Sequence, residues 1–474
     1  MLNKSGYFYQ QYYVKLIRLF FQKIITILLL DKSLKVAKAL FYRGLGVLLQ
    51  LLLNIFIGQF FGTRGMGFYQ IYTTWMLLLA ELSSLGLPMY TMRKVSALRQ
   101  KFQFTDIQSC VKKYLLLVCT SSVILLLPVM LFSSELSLLL LASSDKSIIL
   151  IYAAIAALSF LGIRLLSEAV KAMGYTNFGI LSESALIPLI SLLSLFFIWS
   201  FALNVKPESI LISHVFSLFC VFAIIYFSWN KILANKLKKT QKEVITNKTL
   251  TAILPKLISS HAKQITFNRS LGFIWCGMIL NILFINLPVL LLPYYASTEE
   301  IGLFGVAFRM VMLSTSILVS LAALFGPRFV FAFKNKDVVS LKQELRHSQW
   351  YSLCAYAPFF IVFTVFPESL LAIFGSEFIQ AKTILLILAA AQLVNSATGL
   401  VGYFLVMIHH EKAEFITLLI ALFMVFPMML VLGNFYGMLG IVIAYAIAII
   451  IKNLLSLVLS LYFLNTMPIA GEQL

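Results

Sequence analysis

FYRGLGVLLQLLLNIFIGQFFGTRGMGFYQIYTTWMLLLAELSSLGLPMYTMRK, residues 41–94, holds two long apolar runs with a short glycine-rich stretch between them. Each run, 38–60 and 68–90, reaches the ~20 residues a helix needs to cross a hydrocarbon core ~30 Å thick. The joint, Gly62-Thr63-Arg64-Gly65-Met66-Gly67, is too short to let the helices separate. They are expected to lie antiparallel and adjacent, with the glycines forming the turn. The second run closes on Ser84-Leu85-Gly86-Leu87-Pro88, followed by a basic patch at Arg93-Lys94. Gly and Pro at membrane depth need neighbouring helices or water to satisfy the backbone groups they free.

The same character runs through the whole chain. Its 474 residues are 61% hydrophobic and 12% charged, against ~25% charged in a soluble domain. That makes it a polytopic membrane protein. The formal net charge is +19, from 37 Lys+Arg against 18 Asp+Glu. In a soluble protein this would point to nucleic acid; here it reads as topology signal, and no nucleic-acid partner is expected. Twelve apolar runs lie near 38–60, 68–90, 114–133, 148–170, 178–200, 208–228, 271–293, 303–325, 350–372, 383–406, 413–432 and 438–462. Loops on one side carry most of the Lys and Arg: 1–38, 93–113, 231–269 and 328–346, with Lys171 and Lys412. The opposite loops hold only Arg64, Lys146, Lys206 and Lys382. Cytoplasmic loops collect positive charge, so both termini are expected in the cytoplasm.

Two echoes divide the chain in half. Thr63-x-x-x-Gly67-Phe68-Tyr69 returns as Thr298-x-x-x-Gly302-Leu303-Phe304, an offset of 235 residues. Ile151-Tyr152-Ala153-Ala154 returns as Ile387-Leu388-Ala389-Ala390, an offset of 236. The expected organisation is a basic amphipathic segment at 1–34, a six-helix bundle at 35–228, a basic connector at 229–270, a second six-helix bundle at 271–465 and a tail at 466–474. The first segment reads either as a helix on the membrane surface or as a positively charged tail. The connector reads as a solvated loop or as a holder of anionic headgroups.

Ionisable residues inside a span are costly and are functional candidates by default. Arg43 lies near the cytoplasmic end of span one, where it either lines a cavity or snorkels to the interface. Arg309 lies ~10 Å into span eight at 1.5 Å per residue, with no acidic residue at helical spacing; it is expected to face a cavity. Arg164, Glu168 and Lys171 share one face of span four and can neutralise one another, or can meet a substrate. Glu81 and Glu183 either take part in ion coupling or pair with an arginine. Lys452 is left open between the two kinds of role. Gln50, Asn54, Asn281, Asn286, Gln392 and Asn395 either line a hydrated cleft or bond between helices. No nucleophile elbow, P-loop or metal-spaced cluster is present. The outward loops are short, so a polymerase or ligase with its usual large loop is disfavoured and no enzyme is expected. The five cysteines show no metal or disulfide pattern, and no cofactor is expected.

Five stretches resemble the bacterial polysaccharide flippase family of the multidrug/oligosaccharidyl-lipid/polysaccharide superfamily. These are Arg43, Gly62-x-x-Gly65-x-Gly67-Phe68-Tyr69, Leu85-Gly86-Leu87-Pro88, Gly302-x-Phe304-x-x-Ala307-x-Arg309 and Phe374-Gly375-x-x-Phe378. The resemblance implies two six-helix bundles around a central cleft in the bacterial inner membrane. It implies a substrate of undecaprenyl diphosphate carrying an O-antigen, capsule or exopolysaccharide repeat unit, with membrane lipids and other polysaccharide assembly proteins as partners. On that basis Arg43, Arg164 and Arg309 contact the diphosphate or an acidic sugar, with Gln50, Asn54 and Asn281 beside them. Glu81 and Glu183 serve coupling, with Na+ or H+ left open. Peptidoglycan-precursor (lipid II) flippases of the superfamily usually have fourteen spans, and this chain has room for twelve. Multidrug antiporters usually set acidic residues in the cavity, whereas the isolated deep charge here is cationic.

Overall fold

The computed structural model describes residues 33–201, 206–246 and 269–466. The amphipathic segment expected at 1–34 lies outside it up to residue 32, as do the middle of the connector and the tail from 467. Among the described residues, nine helices are long and apolar enough to cross a membrane. Two of them are each a pair of spans joined at one bent glycine, Gly62 (φ 65°) and Gly437 (φ 57°). Val338–Val365 adds one more crossing of matching length, made less apolar by Gln349, Trp350 and Tyr351. The described residues are thus helical without strands and form twelve spans. They are α1 (33–61), α2 (63–84), α3 (Phe104–Leu131), α4 (Ser147–Ala172), α5 (Thr176–Phe201), α6 (Glu208–Thr246), α7 (Arg269–Leu291), α8 (Thr298–Lys334), α9 (Val338–Val365), α10 (Ser376–Met407), α11 (411–436) and α12 (438–466).

Alternate crossings give the molecule two ends. One carries the bends at Gly62 and Gly437 and is here named the turn end; the other, the basic end, carries Lys94, Arg99, Lys231, Lys334 and Lys336. Of the expected glycine-rich turn, only Gly62 leaves the helix, at φ 65° and ψ −166°. Thr63–Gly67 is already α2, so Gly65 and Gly67 are helical. The second span also ends earlier than expected, at Ser84. Leu85 and Gly86 both adopt positive φ, and Pro88 opens a separate helix, Leu87–Gln100. There its missing N–H costs nothing, because first-turn amides have no helical partner. Part of the connector is regular: α6 continues to Thr246.

Pro188 explains a break in α5. Proline offers no N–H to the carbonyl four residues earlier, and the helix is interrupted at Ala185, next to Ser184. Gly46 of α1 lies against that carbonyl, where a Cβ would stand 2.5 Å from the Ser184 oxygen.

The 235-residue echo falls at matching places in the order of the helices. The α3–α4 link (Ser133–Leu141, then Ser144–Lys146) has its counterpart in Pro367–Ala372, which follows α9, and in Ser376–Ala381, the first turns of α10. The alanine echo marks the interior helix of each bundle. The most apolar windows of α4 and α10 are each 61% buried, against 22% for α3. Small side chains at Ala153, Ala154, Ala389 and Ala391 let neighbouring helices close on them, as membrane helix packing favours.

The two halves meet at the glycine echo. A Cβ on Gly67 would lie 1.9 Å from the Thr298 carbonyl oxygen, and one on Gly302 would lie 2.0 Å from that of Thr63. Each half thus presents to the other the same pair of residues, an isologous contact of the kind two-fold symmetry produces. Ser297 and Glu300 form a capping box on α8 beside this contact. The turn end is closed further by Gln59 donating to the Ile373 carbonyl at 2.9 Å, and by Thr63 N–H and Oγ1 donating to Glu377 at 3.3 and 3.2 Å. Met66–Tyr72 and Ile301–Phe308 are buried throughout. Towards the basic end burial falls away: Phe41, Arg43, Gly44 and Leu48 of α1 and Val319 and Ser320 of α8 are exposed. Between α1 and α8 the molecule is shut at the turn end and open towards the basic end.

Candidate functional site: the cavity between the bundles

A cavity of about 400 Å³ lies below the closed turn end. Its walls come from α1, α2, α4, α5, α6, α7 and α8. Arg309 is its dominant charge. Gly302 and Gly305 let α8 lie directly on α2, and Arg309, one and two turns farther on, crosses into the other bundle's polar face. Its Nε donates to Gln70 Oε1 at 2.9 Å, one terminal nitrogen donates to Asn54 Oδ1, and the other donates to Thr73 Oγ1 at 3.2 Å. The guanidinium carbon stands 4.5 Å from the centre of the Tyr69 ring, a favourable cation–π distance. Those bonds use three of five N–H donors. Every one of these acceptors is neutral, so the arginine charge is solvated by the protein without being cancelled.

The supporting shell is continuous. Gln50 Nε2 donates to Asn54 Oδ1 and to Tyr69 Oη, both at 3.3 Å. Thr73 Oγ1 donates back to the Tyr69 carbonyl at 2.8 Å. Thr74 donates to Asn286 Oδ1 at 3.2 Å, a second polar tie between bundles. His214 of α6 is hydrogen-bonded through Nδ1 to Tyr72 Oη at 3.0 Å.

Of the residues singled out from sequence, the structure brings Gln50, Asn54, Glu183, Asn286 and Arg309 to the cavity wall. Arg43 is exposed near the basic end of α1, and Asn281 is exposed on α7. Gln392 and Asn395 bond to one another at 3.1 Å within α10. The neutralisation expected along α4 holds for Glu168 and Lys171, and pairing between helices is added to it. Arg164 bonds Glu81 of α2 at 2.5 Å, with the glutamate fully buried. Lys171 bridges Glu168 at 3.1 Å and Glu183 of α5 at 2.5 Å. Lys452 pairs with Glu414 at 2.5 Å. Glu81 also ties the bundles together, because its carbonyl accepts from Trp275 Nε1 at 3.0 Å. Glu183, the carboxylate on the cavity wall, is thus already matched by a lysine. No cluster suited to a metal ion occurs among the described residues.

Sequence reasoning missed Tyr69, Gln70, Thr73 and His214. Gln70 and Thr73 carry a readable signal. Gln70, Thr73 and Thr74 sit at i, i+3 and i+4 in an otherwise apolar span, which puts a polar stripe on the face that holds Gly67.

No protein-family model matches the chain, and no curated protein does. Solved structures do. An inward-facing multidrug resistance MATE transporter of the MOP superfamily superposes with a TM-score of 0.70, covering 89% of this chain and 95% of that one at 12% identity. The fold is that of the MOP superfamily transporters. The lipid II flippase MurJ, in an inward closed conformation, gives 0.62 over 91% of this chain and 87% of that one at 13% identity. A MOP superfamily transporter from Pyrococcus furiosus, described by the reverse polarity of its binding pocket, gives 0.59 over 90% and 96% at 12% identity.

Proposed function

We propose that this protein is a flippase that carries undecaprenyl-diphosphate-linked oligosaccharide repeat units across the bacterial inner membrane by alternating access. Its product would serve O-antigen, capsule or exopolysaccharide assembly. The observation that carries the reading is Arg309: a deep guanidinium whose partners among the described residues are all neutral, on a cavity wall where the carboxylate of Glu183 is already paired with a lysine. Such a site attracts an anion. A guanidinium fork suits phosphate oxygens, and a charge-assisted bond to phosphate is among the stronger hydrogen bonds a protein makes. A cationic drug would meet the wrong sign. By the positive-inside rule the basic end faces the cytoplasm, so the opening between α1 and α8 faces the side on which lipid-linked sugars are built. Diphosphate and sugar would enter the cavity while the polyprenyl chain stays in lipid.

The test is Arg309→Ala beside Arg309→Lys in the producing bacterium, reading surface polysaccharide and the sidedness of the lipid-linked repeat unit. Alanine should trap the unit on the cytoplasmic face at normal protein levels, and lysine should restore part of the flux. Unchanged surface polysaccharide in both variants would remove the support. Cell lysis with normal polysaccharide would redirect the reading to the peptidoglycan precursor.

A further inference from the structure

His214 is a further polar group of the cavity wall with a donor to offer. It lies on α6, in the bundle opposite Arg309, and is 6% exposed. Its ring leans edge-on against Tyr69, centroids 5.7 Å apart and planes at 68°. This is the same ring whose π-system holds Arg309 at 4.5 Å. The two groups therefore converge on one tyrosine, from opposite bundles, at the wall of one cavity.

The Tyr72 bond fixes what His214 presents. Tyr72 Oη is fully buried and has no other acceptor among the described residues, so its proton goes to Nδ1 and the neutral imidazole carries its own on Nε2. When the imidazole is protonated, Nδ1 donates to Tyr72 and Nε2 still carries a proton. Either way Nε2–H is a donor, and it has no protein acceptor among the described residues. Tyr72 is fully buried and so is well held for this task. Histidine also suits the position electrostatically. It can donate while neutral, whereas Lys or Arg would set a second fixed cation beside Arg309.

We infer that His214 is a second anion-binding residue of the cavity, and that it and Arg309 hold one anionic group of the substrate from both bundles at once. The inference rests on the anion-site reading above and extends it. The anion becomes a tie between the bundles, and its departure removes that tie. The recognised group is a diphosphate diester, which offers acceptor oxygens on two phosphorus centres, one for each donor.

The experiment uses the full chain in lipid nanodiscs. The probe is a short-chain polyprenyl-diphosphate monosaccharide, with the uncharged polyprenol as control. A hydrogen bond to a charged group changes affinity by roughly tenfold to a hundredfold. His214→Phe is therefore expected to weaken diphosphate binding by about that factor and to leave polyprenol binding unchanged. His214→Gln, which keeps an N–H donor, should lose less. Tyr72→Phe should fall between wild type and His214→Phe, because the tautomer is no longer fixed. If Arg309→Ala weakens the probe and His214→Phe does not, His214 is outside the site and the anion reading survives alone. If neither variant weakens it, both readings fail. If His214→Phe weakens polyprenol as much as diphosphate, its effect is on packing and the inference is overturned.

Discussion

Substituting Gly67 with alanine tests the junction between the bundles. The new methyl would stand 1.9 Å from the Thr298 carbonyl oxygen, where real Cβ atoms keep at least 3.0 Å. The obstacle is backbone, so no side chain can turn away. Relief requires α2 and α8 to part by about 1 Å, an overpacking whose usual cost is ~1–3 kcal/mol. The contact belongs to the closed turn end, so the penalty falls on the conformation described here and spares one in which that end opens. A bias of that size shifts a two-state balance roughly 5–150-fold. Gly302→Ala, with its 2.0 Å approach to Thr63, should match it. The double variant should cost less than the sum, since one separation relieves both clashes. Gly44 and Gly277 have nothing within 4 Å of a built Cβ, and alanine there is the control. Spin labels at the exposed residues Arg64 and Tyr436, one per bundle, report the turn-end distance in nanodiscs. A longer-distance population in Gly67→Ala and Gly302→Ala, absent from the controls, is the expected outcome. Distributions identical to those of Gly44→Ala would refute the reasoning.

Glu81→Ala should be strongly destabilising, by about 3–5 kcal/mol for a buried pair broken on one side. Adding Arg164→Ala should restore part of the melting temperature, and Glu183→Ala should cost less because Glu183 is 26% exposed. Ser297→Ala removes the α8 cap and should cost ~1 kcal/mol, seen as a lower melting temperature. Asn54→Leu takes away an acceptor shared by Arg309 and Gln50 and should weaken diphosphate-probe binding while leaving polyprenol binding intact. The Ser340 hydroxyl and N–H hold the Asp337 carboxyl below the usual aspartate range. Stability from that cap is fully present above about pH 4 and is lost as pH falls through the folded value. Asp337→Asn should flatten that acid-side slope in a melting-temperature series.

The span count was legible because membrane helices are long, uniform and punctuated by charge. The job of each glycine was not. Gly62 is needed for its positive φ and Gly67 for a close approach, yet in sequence both read simply as glycine in a short joint, which predicts a turn over the whole stretch. The ion pairs are legible only in part: Glu168 and Lys171 follow from spacing along α4, and an arginine partner for Glu81 is expected, but not which arginine. Spacing along α4 reveals which charges share a face of one helix, and Glu81, the actual partner of Arg164, comes from a helix 83 residues away. Arg309 stood out because no carboxylate lay at helical spacing. A lone histidine in an apolar span carries no such mark, and only the fold sets His214 beside the tyrosine that Arg309 occupies.

The reciprocal contact of Gly67 and Gly302 bears on how such a chain arises. A single six-helix half carrying this glycine would meet a second copy of itself through the same two atoms, once on each side of the axis. Any substitution there would have acted twice. In the fused chain the two positions are separate letters, and each can change while the other stays. In one chain the junction is free to be unequal, and here an arginine comes from one side and its amides, hydroxyl and aromatic ring from the other.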